Sequence, residues 1–274
     1  MEKIELKKII KGKIVSNLPV AKDHFELKME ASWLGKSARA GQFVMVKLCD
    51  KFTDPLLRIP LAVHSKNAGG ISLMYKVVGN GTKILSERKK GTVLDVIGPL
   101  GNGFDDKHIL KKSGRKAIIV AGGHGIIPLY MLVKRFKEKN IEVTAFLGAG
   151  TKEYVLLGKK LKKTGAKVHI ATDDGTSGRK GSVVTLVEEY LKKEKKKKDE
   201  TKGANHYIYA CGPRPMLAAL SRSLKKLNEE AEFSLDAYMA CGIGACKGCA
   251  IKTTSGYKMV CKDGPVFDMR SIVF

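Results

Sequence analysis

The sequence predicts a β plus α/β protein, with an N-terminal antiparallel β-barrel, a parallel doubly wound α/β domain and a small C-terminal domain rich in cysteine and glycine. Short β-branched segments without a clear helix occupy residues 1–104, strand-like and helix-like segments alternate over 105–228, and three of the six cysteines lie close together in 229–274. Many short strands indicate a barrel, whereas alternation of strands and helices is typical of a parallel sheet.

Length and composition support this division. A chain of 274 residues with 43% hydrophobic residues has enough apolar surface for two or three cores. No apolar stretch is long enough for a membrane helix, and the N-terminal MEKIELKK lacks the apolar segment of a signal peptide. We therefore expect a cytoplasmic protein outside the membrane, in which clustered cysteines bind metal in preference to forming disulfides.

The formal charge of +24 raises the question of nucleic-acid binding. The lysines are spread along the chain and are not interleaved with aromatic residues that stack on bases, so we expect no nucleic-acid partner. The densest basic run, Leu191–Gly203, also contains acidic residues and indicates a solvated loop. Abundant lysine beside a single glutamine, Gln42, is typical of thermophile proteins.

Six β-branched or aromatic runs predict the strands of the barrel. Turn signals such as NAGG and GNG separate some of these runs. The predicted strands are Ile9–Val15, Phe25–Met29, Phe43–Leu48, Leu57–Val63, Ile71–Val78 and Val93–Ile97.

The α/β domain begins with KAIIVAGG, a continuous apolar run from Lys116 that ends in glycine, as a buried parallel strand should. Pro128 then lies in the first turn of a helix whose apolar residues recur at helical spacing. EVTAFL, KVHIA and HYIYAC predict further strands, and helical stripes surround Val187 and Leu220. This order predicts a doubly wound parallel sheet.

Four cysteines near the C-terminus have the spacing Cys241-x4-Cys246-x2-Cys249, followed by Cys261. This is the plant-type arrangement of a [2Fe–2S] cluster, and the small residues between the cysteines let backbone N–H groups point to the sulfurs. A structural zinc site is the alternative, although zinc is typically held by two short Cys-x-x-Cys pairs. The segment 229–274 is thus predicted to be a [2Fe–2S] domain, whereas Cys49 is interpreted as a small buried hydrophobe.

The segment AGGHGIIP joins the first parallel strand to its helix. Gly122, Gly123 and Gly125 are therefore candidates for a turn that binds the pyrophosphate of a dinucleotide at the helix N-terminus. A plain strand-to-helix turn is the alternative, and His124 is assigned no chemistry.

Two later strand ends are expected to face the same crevice. ACGPRPM places Cys211 and Gly212 there, with a buried core thiol as the alternative for Cys211. ATDDGTSG places Asp173 and Asp174 there, where carboxylates accept hydrogen bonds from ribose hydroxyls and repel a 2′-phosphate. These carboxylates favour NAD over NADP, although both residues are equally typical of turns and helix caps.

Seven motifs over nearly the whole chain carry a family likeness. They are LLRIPLAV, YKVVGNGTKILS, GPLGNGF, AGGHGIIP, ATDDGTSGRKGSV, YACGPRPM and MACGIGACKGCAIKT with the later YKMVCKDGPVF. On these motifs the chain resembles the electron-transfer subunits of NAD-dependent dihydroorotate dehydrogenases, within the ferredoxin–NADP reductase superfamily.

The resemblance implies an FAD on the barrel. The family's R-x-P-x-S motif corresponds to Arg58-Ile59-Pro60-Leu61-Ala62, where Arg58 is implied to pair with the FAD phosphates and Ala62 replaces the usual serine. Without the resemblance, GNGT predicts only a hairpin turn. His124 is a second departure, at a position where the family usually has glycine. Further implied FAD contacts are Tyr75, Lys76, Val77, Gly81 and Thr82.

The resemblance also implies a function. Electrons pass from an FMN-containing dihydroorotate dehydrogenase catalytic subunit through the [2Fe–2S] cluster and FAD of this chain to NAD⁺, in pyrimidine biosynthesis. The implied complex is a heterotetramer with the cluster at the subunit interface, where Lys247 either meets an acidic patch or is a solvated loop lysine, and Cys211 lies near the nicotinamide. Two alternatives stay open: a subunit of another iron–sulfur flavin NAD(P)H oxidoreductase, of the ferredoxin:NADP transhydrogenase or sulfide dehydrogenase type, and a zinc-stapled nucleotide-binding regulator.

Overall fold

The structure, a computed structural model, describes residues 8–49, 54–111, 114–196 and 205–274. These residues form two compact units. The first holds the described residues up to Gly103 together with Ala237–Ile251 and Lys258–Pro265, and the second holds Phe104–Asp236, Lys252–Tyr257 and Val266–Phe274. Within the described ranges, no helix is long and apolar enough to cross a membrane.

The first unit contains a closed antiparallel barrel, which confirms the prediction for this half of the chain. Leu27, Leu73 and Val63 are register partners across three adjacent strands, and all three are fully buried in its core. The strands are β1 (Lys8–Ala21), β2 (His24–Glu30), β3 (Phe43–Lys47), β4 (Ile59–Asn67), β5 (Gly70–Lys76) and β6 (Val93–Leu100). They neighbour one another in the order β1-β2-β5-β4-β3-β6, and the antiparallel pairing of β1 with β6 closes the barrel.

Two short helices, α1 (Ser32–Ser37) and α2 (Asn80–Ser86), interrupt the barrel strands. The expectation of a barrel without helices was wrong, and so was the hairpin turn at GNGT, where α2 begins. The Thr82 hydroxyl stabilises this start because it accepts the backbone N–H of Val78 at 2.9 Å and that of Gly79 at 3.2 Å. The sequence does not predict this helix, because the glycine and asparagine at its start are residue types that favour turns.

The second unit contains a seven-stranded sheet in the order β10-β9-β8-β7-β11-β12-β15, with helices between its strands. Its elements, and the two strands that form a separate two-stranded sheet (β13 and β14), are α3 (Lys107–Leu110), β7 (Lys116–Gly122), α4 (Ile126–Glu138), β8 (Val143–Ala149), α5 (Gly158–Lys163), β9 (Lys167–Thr172), β10 (Arg179–Lys180), α6 (Val183–Lys196), β11 (His206–Cys211), α7 (Arg214–Lys226), β12 (Ala231–Ser234), β13 (Ala250–Thr253), β14 (Gly256–Met259) and β15 (Val266–Asp268).

All neighbouring strands of this sheet are parallel except β15, which runs antiparallel to β12. The doubly wound sheet is therefore as predicted. The chain leaves β7 towards β8 and returns on the other side at β11, so the strand order reverses between β7 and β11, where such sheets bind ligands at their carboxyl ends. The basic run at Leu191 was wrongly predicted as a loop over its first half, because α6 continues to Lys196; residues 197–203 lie outside the described part.

Candidate functional site

All four predicted cluster cysteines lie in the first unit. Cys241 and Cys246 belong to an irregular loop, Cys249 directly precedes β13, and Cys261 follows β14. Cys246 is exposed, whereas Cys249 and Cys261 are only 3% and 1% exposed. The site therefore has one side that faces solvent and one that is buried in the protein.

Hydrogen bonds from backbone N–H groups to sulfurs link the four cysteines in two pairs. The backbone N–H of Cys246 donates to Cys241 Sγ at 3.4 Å, and the backbone N–H of Cys261 donates to Cys249 Sγ at 3.4 Å. The N–H of Gly248 donates to Cys246 Sγ, also at 3.4 Å. Hydrogen bonds of this kind orient sulfur ligands and stabilise their negative charge, as in iron–sulfur sites.

Two pairs fit two irons better than they fit a single zinc ion. Structural zinc takes its four ligands at one tetrahedral centre. In a [2Fe–2S] cluster four thiolates are shared between two irons, so the arrangement in pairs favours the cluster.

The electrostatics of the thiols agree with metal ligation. Burial raises the pKa of the Cys241 thiol, but hydrogen bonds from the backbone N–H groups of Cys246 and Ile243 outweigh the effect of burial and lower the pKa to about 6. Burial and the adjacent Cys249 thiol raise the pKa of Cys261 to about 12. A buried thiolate beside another thiolate requires a compensating positive charge, which bound iron supplies.

The cluster loop lies directly on the barrel. Gly242 adopts φ 69° and Gly244 φ 87°, in the left-handed region that favours glycine. A Cβ at Gly242 would lie only 2.4 Å from Cγ of Met45, a fully buried residue of β3. Met45 is the register partner of Pro60 on β4. The loop that carries Cys241 is therefore packed against the strand beside the implied flavin motif.

Side-chain amides make a second attachment of the cluster segment to the barrel. After β6, Asn102 donates its Nδ2 to the carbonyl oxygen of Asp263 at 3.0 Å, and its backbone N–H donates to that of Gly264 at 2.6 Å. The fully buried Gln42 orders the preceding turn, since its Nε2 donates to the Gly101 carbonyl at 2.8 Å. No sequence pattern signals these contacts, because the partners are far apart in the chain and each is an ordinary turn residue.

The implied FAD residues lie on neighbouring elements of the barrel. Their positions are Arg58 directly before β4, Pro60, Leu61 and Ala62 on β4, Tyr75 and Lys76 at the end of β5, Val77 directly after it, and Gly81 and Thr82 in the first turn of α2. Antiparallel pairing joins β4 to β5, so the structure brings these segments together.

Arg58 has a partner that the sequence does not reveal. Its Nη2 lies 2.6 Å from Oδ1 of Asp95 on β6, and its Nη1 donates to the Asp95 carbonyl at 2.9 Å. Burial raises the pKa of Asp95, but Lys11 and Arg58 outweigh it and hold the pKa below its usual value. Because a guanidinium has five N–H donors, Arg58 retains donors for a phosphate while Asp95 fixes its position.

The surroundings of Tyr75 and Arg58 fit a flavin nucleotide. The Tyr75 hydroxyl donates to Asn17 Oδ1 at 3.0 Å, and burial raises its pKa to about 12. Leu56, Leu57 and Val78 flank these segments with 70%, 53% and 76% of their surface exposed. Exposed apolar side chains beside a fixed cation and hydroxyl groups match a ligand with an aromatic ring and phosphates.

The predicted nucleotide-binding turn of the second unit is formed by two strand ends in backbone contact. A Cβ at Gly125 would lie 2.0 Å from the Cys211 carbonyl oxygen, and one at Gly212 would lie 3.0 Å from the Gly122 nitrogen. The carboxyl ends of β7 and β11 therefore meet where only glycine fits. Gly123 has φ 51° with open space beside it, at the surface of the turn.

Cys211 is only 9% exposed at the end of β11. Burial raises the pKa of its thiol to about 12, so the group is neutral at physiological pH. A neutral buried thiol is no nucleophile, which agrees with its interpretation as a core residue. Its contact with the nicotinamide stays a prediction.

Asp173 and Asp174 follow β9 and are both exposed. Asp174 Oδ1 accepts the backbone N–H of Thr176 at 2.9 Å and its hydroxyl at 2.7 Å, as in an ordinary turn. Asp173 Oδ2 lies 4.0 Å from the Cβ position of Gly150, just beyond β8. The backbone N–H groups of Asp173 and Asp174 donate to the carbonyl oxygens of Ala149 and Gly150, so both residues lie at the ends of β9 and β8, and their contact with a ribose stays a prediction.

Two protein families match parts of the sequence. Residues 119–222 match the family described as "Oxidoreductase NAD-binding domain", and residues 236–273 match "Iron-sulfur cluster binding domain of dihydroorotate dehydrogenase B". These matches cover the glycine turn and the four cysteines.

Two relatives share the name "Dihydroorotate dehydrogenase B (NAD(+)), electron transfer subunit". That of Caldanaerobacter subterraneus subsp. tengcongensis is 37% identical over 269 residues, which are 97% of this chain and 98% of the relative. That of Geobacillus sp. (strain WCH70) is 38% identical over 265 residues, 95% and 96% of the two chains.

Solved structures agree in fold. The one described as "Insights into flavin-based electron bifurcation via the NADH-dependent reduced ferredoxin-NADP oxidoreductase structure" has a TM-score of 0.79 at 30% identity, and the match covers 100% of this chain and 91% of that chain. A ferredoxin NADP+ reductase from Neisseria gonorrhoeae with bound FAD and NADP has a TM-score of 0.64 at 12% identity, over 80% and 91% of the two chains.

Similarity along nearly the full length, at an identity well above that of fold neighbours alone, agrees with the paired cysteines and the glycine turn. The chain belongs to the family of dihydroorotate dehydrogenase B electron transfer subunits, which are iron–sulfur and flavin-dependent NAD oxidoreductase subunits.

Proposed function

We propose that this chain carries electrons from an FMN-containing dihydroorotate dehydrogenase catalytic subunit, through its [2Fe–2S] cluster and its FAD, to NAD⁺ in pyrimidine biosynthesis. The observation that carries the proposal is the packing of the cluster loop against the barrel. Gly242 of the loop contacts Met45 on β3, and Met45 is the register partner of Pro60 on β4. The cluster ligands and the implied flavin motif thus belong to one compact unit, as electron transfer over a short distance requires.

The residues have separate tasks in this proposal. Cys241, Cys246, Cys249 and Cys261 hold the cluster, and the exposed Cys246 faces the side on which a partner subunit approaches. FAD supplies the conversion between one-electron and two-electron transfer. Arg58, held by Asp95, binds its phosphates.

The remaining FAD contacts are assigned to Pro60, Leu61, Ala62, Tyr75, Lys76, Val77, Gly81 and Thr82. In the second unit, Gly122, Gly123, Gly125 and Gly212 form the turn that approaches the NAD pyrophosphate, Asp173 and Asp174 lie at its ribose end, and Cys211 lies near the nicotinamide. The catalytic partner makes the complex a hetero-oligomer, for which we propose a heterotetramer. We place it in the cytoplasm, because four free thiolates for a cluster require a reducing compartment.

One alternative has a specific observation in its favour. The solved structure related to NADH-dependent reduced ferredoxin–NADP oxidoreductase is 30% identical and matches the whole of this chain. The two named relatives are 37% and 38% identical, which favours dihydroorotate dehydrogenase. Co-purification with an FMN subunit that oxidises dihydroorotate supports the proposal, and co-purification with a ferredoxin-dependent partner overturns it in favour of the alternative.

The first test is the cofactor content of the purified protein. Anaerobic preparation should give a brown protein with about two irons per chain, the number set by the cluster type, and one releasable FAD. Metal analysis with a visible spectrum measures both. Stoichiometric zinc without iron would instead establish the zinc-stapled regulator.

The second test asks which subunit oxidises dihydroorotate and which reacts with NADH. The described residues contain no identified general base for dihydroorotate, and oxidation of a C–H bond requires one beside substrate and flavin. The isolated chain should therefore pass electrons from NADH to an acceptor dye without producing orotate from dihydroorotate. Addition of the FMN subunit should start orotate formation coupled to NAD⁺, and orotate formation by the isolated chain would refute the assignment.

A further inference from the structure

Asp173 directly follows β9, and β10, the strand that pairs with the end of β9, begins with an arginine. Arg179 is the register partner of Ala171, and Lys180 is that of Thr172, so the two cations of β10 lie alongside the last residues of β9. A cation at this edge of a nucleotide-binding sheet is placed to meet the adenosine ribose of a dinucleotide.

The turn that brings Arg179 back to β9 is tightly built. The fully buried Thr172 hydroxyl donates to the Ser177 carbonyl at 2.9 Å and accepts the Ser177 N–H at 3.0 Å. Gly178 has φ 67°, and a Cβ there would lie 2.1 Å from the Ile170 carbonyl oxygen. The position of Arg179 is therefore set by the backbone.

The guanidinium of Arg179 is occupied by a carboxylate from α6. Its Nη2 donates to Glu189 Oε1 at 2.8 Å, and its Nη1 contacts Glu189 Oε2 in the same two-point arrangement. The pair raises the pKa of Arg179 and lowers the pKa of Glu189. The side chains of Arg179 and Glu189 are 46% and 42% exposed. The pair therefore lies on the protein surface, beside the edge strand β10.

A guanidinium that binds a carboxylate by two parallel hydrogen bonds offers the same donors to a phosphate. In dinucleotide-binding sheets an arginine near the ribose accommodates the 2′-phosphate of NADP, whereas a carboxylate accepts the 2′-hydroxyl of NAD. Here the arginine is present, but both of its Nη groups bind the carboxylate of Glu189. Arg58 differs, because one of its Nη groups meets the Asp95 carboxylate and the other meets the Asp95 carbonyl.

We propose that Glu189 is a specificity-determining residue, which favours NAD over NADP by occupying the Arg179 guanidinium that would otherwise bind a 2′-phosphate. This inference rests on the proposed use of NAD by the second unit. It assigns cofactor choice to two elements: Asp173 disfavours the phosphate by repulsion, and Glu189 removes the cation that would attract it.

The experiment removes the negative charge of Glu189 and keeps the size of its side chain. Glu189→Gln retains the side-chain length but no longer neutralises Arg179. Because exposed ion pairs contribute little to stability, the variant should fold. Glu188→Gln is the matched control, since Glu188 lies next in the helix but contacts Lys192 and Ser223.

Two probes separate the 2′-phosphate from the rest of the nucleotide. Calorimetric titration of the holoprotein with AMP and with adenosine 2′,5′-bisphosphate measures binding without catalysis. Glu189→Gln should bind the bisphosphate about tenfold more tightly than the wild type, the effect of one additional charge-assisted interaction, while its affinity for AMP is unchanged. The ratio of kcat/KM for NADPH to that for NADH should rise by a similar factor in dye reduction.

A double variant identifies the cation responsible. Arg179→Gln combined with Glu189→Gln should return the affinity for the bisphosphate to the wild-type level or below, and Glu188→Gln should leave it unchanged. An equal gain for AMP and the bisphosphate, a gain that persists without Arg179, or no gain would each overturn the inference. The wild-type rate with NADH tests the proposed function separately, because a protein that does not oxidise NADH fails there before specificity is measured.

Discussion

Glycine is concentrated in two parts of this chain, the cluster loop at 241–249 and the nucleotide-binding turn at 121–125, but it serves different purposes in them. In the cluster loop, Gly242 and Gly244 adopt positive φ and let the backbone turn around the sulfurs. In the turn, Gly122 and Gly125 have ordinary φ values. A Cβ at Gly125 would meet the Cys211 carbonyl at the end of β11, and one at Gly122 would meet the side chains of Met216 and Pro213. Backbone conformation therefore accounts for glycine at 242 and 244, and lack of space for a side chain accounts for glycine at 122 and 125.

The neighbours of the two sets also differ. A Cβ at Gly242 would meet the flexible side chain of Met45, whereas a Cβ at Gly125 would meet the Cys211 carbonyl, which is backbone held in a parallel sheet. A side chain is able to change rotamer, but a strand end moves only with its sheet. Gly125 should therefore tolerate substitution less well than Gly242 of the cluster loop, once the cluster ligands themselves are intact.

The largest effect is expected from removal of a cluster ligand. Cys246→Ser should abolish the iron–sulfur absorbance and make residues 237–265 sensitive to protease, because this short segment, whose two strands form a sheet of their own, depends on metal ligation for its order. Cys49→Ser is the control, since Cys49 lies outside the cysteine pairs; it is half-buried rather than buried as predicted, and its thiol lies 3.9 Å from the Asp54 carbonyl oxygen. Iron analysis and limited proteolysis measure the effect, and equal resistance of the two variants would refute it.

The second prediction tests the backbone contact of the turn. Gly125→Ala places a methyl group 2.0 Å from the Cys211 carbonyl oxygen, so β7 and β11 must separate. We expect a loss of about 3 kcal/mol in the free energy of unfolding, at the upper end for an overpacked core, together with weaker NADH binding.

Gly150→Ala is the control for that substitution. Gly150 follows β8 at the same edge of the sheet, but the nearest atom to its Cβ position is Asp173 Oδ2 at 4.0 Å. Urea denaturation of both variants measures the difference. Similar stability of the two proteins would show that the strand ends are free to move apart, contrary to the comparison.

Sequence alone predicts the elements that depend on local pattern. The spacing of Cys241, Cys246, Cys249 and Cys261 predicts the cluster, and continuous apolar runs predict the parallel strands. Contacts between distant segments have no such pattern: the bond from Asn102 to Asp263 and the pair of Arg58 with Asp95 join residues that only the folded barrel brings together. Helix α2 escaped prediction for another reason, because its N-terminal glycine and asparagine favour a turn when they are considered without Thr82.

The third prediction concerns the cluster loop. Gly242→Ala combines left-handed strain of about 1–2 kcal/mol with displacement of the Met45 side chain. Gly256→Ala has the strain alone, since φ is 99° and no atom lies within 4 Å of its Cβ position. Because φ at Gly256 lies further from the left-handed region than φ at Gly242, a larger loss of unfolding free energy for Gly242→Ala than for Gly256→Ala would come from the contact with Met45.

A second substitution tests whether that contact acts as proposed. Met45→Ala makes room for the new methyl group, so Gly242→Ala should cost less in that background than in the wild type. Thermal unfolding and iron content are the measurements. An unchanged cost in the double variant would mean that the loop does not rest on Met45.

The smallest effect on stability is expected at Gly123, which has the left-handed φ of the cluster-loop glycines without a close neighbour at its Cβ position. Its φ of 51° lies in the left-handed region, but no atom lies within 4 Å of its Cβ position, so Gly123→Asn adds little strain because asparagine tolerates this conformation. We expect a change below about 1 kcal/mol in unfolding free energy, against about 3 kcal/mol for Gly125→Ala. If the NAD pyrophosphate lies over this turn, the new side chain occupies its place, and KM for NADH should rise while stability is preserved. An unchanged KM would place the pyrophosphate elsewhere and leave the turn a purely structural connection between β7 and α4.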